Sequence, residues 1–236
     1  MDRRPAADPD RHDRYPETLQ AWLNGADWII AKRLPEDGRT PHAGLLPAGF
    51  SAEHLGPNDH YYWDNFWGLA GLQAAAHLAQ IHGASEKAAG YRRQADQYQQ
   101  SIMSSIERLP ATTSRGAIPA SPHRRMDAGA IGSLVADYTL QLLPAGDARI
   151  MRTVAWLEKH CFHSGAFFQD MIHSGINVYL PLAIAQSLLR AGDPGYRPLM
   201  DAVAGLASSI GQWPEAIHPE WTALHRNQRR SALPRR

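Results

Sequence analysis

Three times in succession this chain sets down a loop, a mostly apolar helix and an amphipathic helix, and that alternation restricts its fold more than any other feature. A helix that is apolar or small on nearly every side must lie between other helices, whereas an amphipathic one covers them with a single face. From Tyr62 to Ile81 the residues Phe66, Leu69, Ala70, Leu72, Ala74, Ala75, Ala76 and Leu78 leave no polar face, which predicts the first buried helix. Ser85 to Leu109 carries Tyr91, Ala95, Tyr98, Ile102, Ile106 and Leu109 on one stripe, with Arg92, Arg93 and several glutamines elsewhere, and predicts its cover.

The second round begins at Asp127, a natural helix N-cap, and continues through Ile131, Leu134, Val135, Tyr138 and Leu142. Its cover runs from Asp147 to His160. The third opens with HSGAFFQDMIHSG, where Ser174 is placed to cap a helix holding Ile176, Tyr179, Leu180, Ile184 and Leu188, kinked at Pro181. Leu199, Val203, Leu206 and Ile210 mark its partner, and a fourth round starts at GQWPEAIHP. Ahead of all three, Pro16 to Leu34 predicts an amphipathic helix. Strand signals are nearly absent, so the expected class is all-α: stacked helical hairpins with an apolar inner layer, an amphipathic outer layer, and the loops entering the inner helices gathered at one end.

The 236 residues suit one domain, expected over residues 15–219, between a disordered arm at 1–14 and a basic stretch at 220–236. That stretch holds five arginines and one acid. It reads either as an interaction tail or, preferably, as a non-native terminus left by truncation or a shifted frame. A net charge of +1 gives no argument for nucleic acid or an anionic membrane, and no apolar run approaches the roughly 20 residues a spanning helix requires. With one cysteine, Cys161, and no export signal, the expected location is cytoplasmic; oligomeric state is not legible. The histidines show no HExxH or other paired spacing, and Cys161 near His160 and His163 is far from a zinc set, so neither metal nor cofactor is expected. Walker and G-x-S-x-G motifs are missing as well.

Chemistry concentrates in the loops that enter the inner helices. Only these are rich in aromatics paired with acids: YYWD, FFQD and QWPE. Ring faces stack on the C–H face of a sugar while carboxylates take its hydroxyls, which makes Asp64, Asp170 and Glu215 the candidate acids and Tyr62, Trp63, Trp67 and Trp213 the candidate platforms. Asp170, His173 and Asn177 fall at three- and four-residue steps, a spacing that lets them reach one ligand from a shared helix face or its entry. On the residues alone, a capping Asp64 with its aromatics in the core accounts for YYWDNFW about as well.

The segments GLLPAGFSAEHLGPNDHYYWDNFWGLAGL, DAGAIGSLVADY, FFQDMIHSGINVYL and GQWPEAIHP resemble the (α/α)6-barrel glycoside hydrolases, the group of glucoamylases, trehalases, glucosidase I-type enzymes and glycogen debranching glucosidases. The resemblance runs from about Gly44 to Pro219. It implies that Tyr62, Trp63 and Asp64 line the subsite of the sugar being cleaved and that Glu215 in WPEAIHP is the general base. It also implies inverting acid/base hydrolysis of an α-glucoside or related oligosaccharide, with Asp64 or Asp170 as the acid. Since such barrels close with six hairpins and this chain supplies three and half a fourth, the resemblance is to a C-terminally truncated part of one. The competing expectation is a non-catalytic helical-hairpin array that binds carbohydrate or peptide.

Overall fold

The computed structural model describes residues 15–51, 57–163, 165–170 and 174–220. The arm at 1–14, the tail beyond Glu220 and His173 therefore lie outside the described residues.

Helices dominate. They are α1 (Tyr15–Lys32), α2 (Tyr62–Ile81), α3 (Ser85–Glu107), the single turn α4 (Ala111–Ser114), a 3-10 helix (Ala128–Leu134), the single turn α5 (Val135–Tyr138), α6 (Ala148–His160), α7 (Leu180–Arg190) and α8 (Tyr196–Gly205). The most extensive packing is between α2 and α3, as two adjacent elements with facing apolar stripes require. On α3 the buried apolar residues are Ala88, Tyr91, Ala95, Tyr98, Ile102 and Ile106, the stripe that its 3.6-residue periodicity marks out. Beyond this pair, α2 touches the 3-10 helix and α5, which in turn touch α7; α3, α6 and α8 pack on these in the same order. One continuous core results, with Tyr62, Phe66, Leu72, Tyr98, Ile102, Ile118, Ile131, Leu134 and Phe167 at its centre.

The second inner element is shorter and tighter than its pattern predicts. Asp127 does cap it, its Oδ1 accepting from Gly129 N at 2.9 Å. Yet AGAIGSL forms a 3-10 helix, every residue of which is buried, and the α-helical turn after it ends at Tyr138 rather than Leu142. Gln141 takes φ +51°, and the amides of Leu142 and Leu143 both turn back to Ala136 O. Under this element runs a buried ion pair, in which Arg190 on α7 donates to both the carboxylate and the carbonyl of Asp137.

The chain is not purely helical. Four short antiparallel strands, β1 (Phe162–His163), β2 (Ala166–Gln169), β3 (Gly175–Asn177) and β4 (Ala216–Ile217), form a sheet in that order. Phe168 faces Ile176 and Ile176 faces Ile217, so the sheet is a ladder of aromatic and β-branched residues. A Cβ on Gly175 would stand 2.9 Å from that of Ala216, which only glycine avoids. The expected third inner helix therefore starts later: residues 175–177 are strand, Ser174 precedes it, and the helix opens at Leu180 with Pro181 in its first turn, where proline kinks nothing. Its partner ends at Gly205, short of Ile210.

Asn177 begins α7. Its Oδ1 accepts from the amides of Tyr179 at 2.9 Å and Leu180 at 2.8 Å, and its Nδ2 donates to Gln169 Oε1 at 3.1 Å. Only 2% exposed, the side chain has no surface for a ligand, which corrects the substrate-binding role expected of it. Asn177→Ala is expected to cost about 1–2 kcal/mol in urea unfolding through the lost cap, with no direct loss of ligand contact.

Candidate functional site

The entrance of α2 is built by the long connection from α1, residues 33–61, locked to the segment before the 3-10 helix. Gly49 and Asp59 exchange backbone hydrogen bonds of 3.0 and 3.1 Å, closing the loop that runs into the helix. Tyr62 N then donates to Ala120 O at 2.9 Å, and Ser121 Oγ to Asp59 Oδ2 at 2.6 Å, which ties the helix start to the segment before the 3-10 helix. Tyr61 is buried with its hydroxyl donating to Pro57 O and accepting from Arg124, itself paired with Asp127 at 2.7 Å. The loop after α1 is held by Arg33, which stacks on the Tyr98 ring at 4.4 Å and donates to Gly44 O at 2.9 Å. Gly44 sits at φ +75°, and a Cβ there would come within 2.7 Å of Ser101 Cβ, so the residue is restricted twice over.

Asp64 stands in the first turn of α2, half-buried. Burial pushes its carboxyl up to about 6, against a hydrogen bond with Ser51 that pulls the other way. Trp63 and Trp67 meet edge to face at 5.9 Å, and Trp67, one helical turn beyond Asp64 on the same face, is 41% exposed. Tyr62 differs from what its motif predicts: the ring is fully buried, and its hydroxyl pairs with Ser105 Oγ at 2.8 Å. A side chain with no accessible surface cannot stack on a sugar, so Tyr62 belongs to the core.

Asp170 lies at the end of β2 and shares a cleft of about 570 Å³ with Arg124, Asp127, Trp156, His160 and Phe168. The Trp156 and His160 rings meet at 4.7 Å, tilted by 30°. The cleft floor holds Cys161, whose thiol is raised to about 12 by burial and by the charges of Asp127 and Asp170. The cleft lining does not include Asp64, Glu215 or Trp213. Glu215 is exposed at the start of β4, next to Ala216, which pairs with Asn177. Trp213 is 47% exposed, anchored by a 2.8 Å hydrogen bond from Nε1 to Val203 O, and lines a separate depression with Ser208, Ile210 and Gln212.

Spacing alone did not reveal the last feature of the entrance. His42 and His60, from the connection between α1 and α2, and His123, from the segment before the 3-10 helix, bring one ring nitrogen apiece within 4.8 Å of one another. His42 and His60 stack at 4.1 Å with planes 3° apart, and His42 Nδ1 lies 2.8 Å from His123 Nε2. His60 Nδ1 is 2.8 Å from Leu46 O, a contact that requires Nδ1 to be the protonated nitrogen. Burial and the two neighbouring imidazoles hold His42 below its ordinary value. Histidines 42 and 123 are 81 residues apart, beyond the range of any local motif. The one available signal is that PHAG, NDHYY and SPH each place a histidine in a loop leading to an inner element.

None of the described helices is long and apolar enough to cross a membrane. Comparison with family models, curated proteins and solved structures finds no match.

Proposed function

We propose that this chain is part of an (α/α)6-barrel glycoside hydrolase, cleaving an α-glucoside or related oligosaccharide with Asp64 as proton donor and Glu215 as the base that activates water. The observation carrying this reading is a half-buried carboxyl with an exposed indole one turn along the same helix: Asp64 at the mouth of α2 and Trp67, 41% exposed, whose ring meets the partly buried Trp63 edge to face. A carboxyl raised to about 6 keeps its proton in mildly acidic solution and can deliver it to a leaving oxygen, while an indole face holds the adjacent sugar ring. The succession of contacts from α2 through the 3-10 helix and α5 to α7, with α3, α6 and α8 covering them, supports the barrel part of the reading. The cleft of Arg124, Asp127, Trp156 and Asp170 offers a guanidinium, carboxylates and a ring for further sugar units, with Asp170 as the alternative donor.

Inversion needs donor and base roughly 6.5–9.5 Å apart across the bond. Glu215, exposed on the edge strand and outside the cleft, favours a second reading, a non-catalytic hairpin array that binds carbohydrate on the same rings. The two separate in one assay. Glucose release from α-linked oligosaccharides is followed for the wild-type chain and for Glu215→Gln, with circular dichroism as the folding control. The hydrolase reading expects release that falls at least about 10²-fold in the variant at unchanged fold; the array reading expects binding and no release from either protein.

A further inference from the structure

We propose that His42, His60 and His123 form a binding site for one divalent transition-metal ion of the zinc class, with a fourth position open to water or a ligand oxygen. Three neutral imidazoles are the donor set of an open zinc site, and imidazole selects zinc, copper or nickel over the oxygen-seeking calcium and magnesium.

Four features of the entrance support this. The three donor atoms already lie within 4.8 Å, against the roughly 3.3 Å between nitrogens that each sit about 2.0–2.1 Å from a tetrahedral ion. Binding would replace the 2.8 Å His42 Nδ1–His123 Nε2 hydrogen bond and turn the His42 and His60 rings, now 3° from parallel, so that their nitrogens converge on the ion. Second, His60 Nδ1 faces the Leu46 carbonyl at 2.8 Å, leaving Nε2 unprotonated and fixing the ring, the outer support that a metal-bound histidine ordinarily has. Third, the backbone near His60 and His123 is held by the Gly49–Asp59 and Tyr62–Ala120 hydrogen bonds, and that of His42 by Leu45 N at 3.1 Å and the Arg33–Gly44 contact, so the donors are brought together before any ion arrives. Fourth, His42 and His60 are partly buried whereas His123 is exposed, which gives an ion a way in. Asp59 does not complete the set: its Oδ2 accepts from Ser121 and its Oδ1 from the His60 amide.

The site is independent of the glycosidase reading, since it uses neither Asp64 nor Glu215. Its test is binding of Zn²⁺ alone to the full chain stripped by chelator, by calorimetry and elemental analysis, with Co²⁺ absorption reporting coordination geometry and Ca²⁺ and Mg²⁺ as controls. One equivalent of Zn²⁺ and a tetrahedral Co²⁺ spectrum are expected. His42→Ala, His60→Ala and His123→Ala should each weaken binding more than the roughly 10–100-fold that losing an outer partner of a ligand costs. His77→Ala, an exposed histidine farther along α2, should change nothing. Should His60→Ala fail to fold, exposed His123→Gln gives the same reading. Binding below one equivalent, or equal binding by wild type and the His42 and His123 variants, overturns the site.

Discussion

Asp64→Asn is expected to lower sugar release about 10²–10⁴-fold while making the protein more stable than the wild type at neutral pH. The first effect is the loss of a positioned proton donor. The second follows from burial. A carboxyl at about 6 in the folded chain and about 3.9 in the unfolded one binds its proton more tightly when folded. Its favourable contribution is complete below pH ~4 and is lost as pH rises through about 6, because the ionised form must then be held where water is scarce. Asparagine keeps the shape without the charge, so the stability difference between variant and wild type should widen by about 1–2 kcal/mol between pH 4 and 7, discounted for the solvent that still reaches Asp64. Urea unfolding of both proteins at several pH values measures this, and a difference that stays flat with pH contradicts it. Release itself should decline above pH ~6 as the donor ionises.

Arg190→Met is expected to destabilise the fold by about 3–5 kcal/mol, a large fraction of the roughly 5–15 kcal/mol that holds a typical domain together. Asp137 is fully buried, and Arg190 is the cation that meets its carboxylate. Removing the guanidinium leaves that charge unpaired in the core, where desolvation has already raised the carboxyl. The double variant Asp137→Leu/Arg190→Met removes both charges and should recover most of the loss, since the desolvation cost disappears with them. Thermal unfolding separates the cases: at roughly 2–4 °C per kcal/mol, the single variant should melt about 6–20 °C lower and the double close to wild type.

The helices most legible in the sequence were those whose burial pattern repeats over several turns. α2, α3 and α6 begin and end within two residues of where apolar periodicity and caps place them. The 3-10 helix was hidden because the three- and four-residue spacing of Ile131, Leu134 and Val135 suits either helix. The sheet was hidden for a different reason. Its strands are two to four residues long, too short for alternation to show, and β3 exists because β2 and the distant β4 flank it.

Among the candidate site residues, Trp67 and Asp170 are exposed and Asp64 is half-buried. Tyr62 and Asn177 have the same chemistry and went to the core, because Ser105 and the first amides of α7 claimed their polar atoms. What the sequence determined by itself was the long helices α2, α3 and α6 and the faces they bury, since both follow from local spacing and from the cost of leaving apolar surface in water. The meeting of His42, His60 and His123, the pairing of Asp137 with Arg190 and the cleft around Asp170 were decided only by tertiary structure. Each joins residues far apart along the chain, and no local preference records which loops the packing of the helices will bring together.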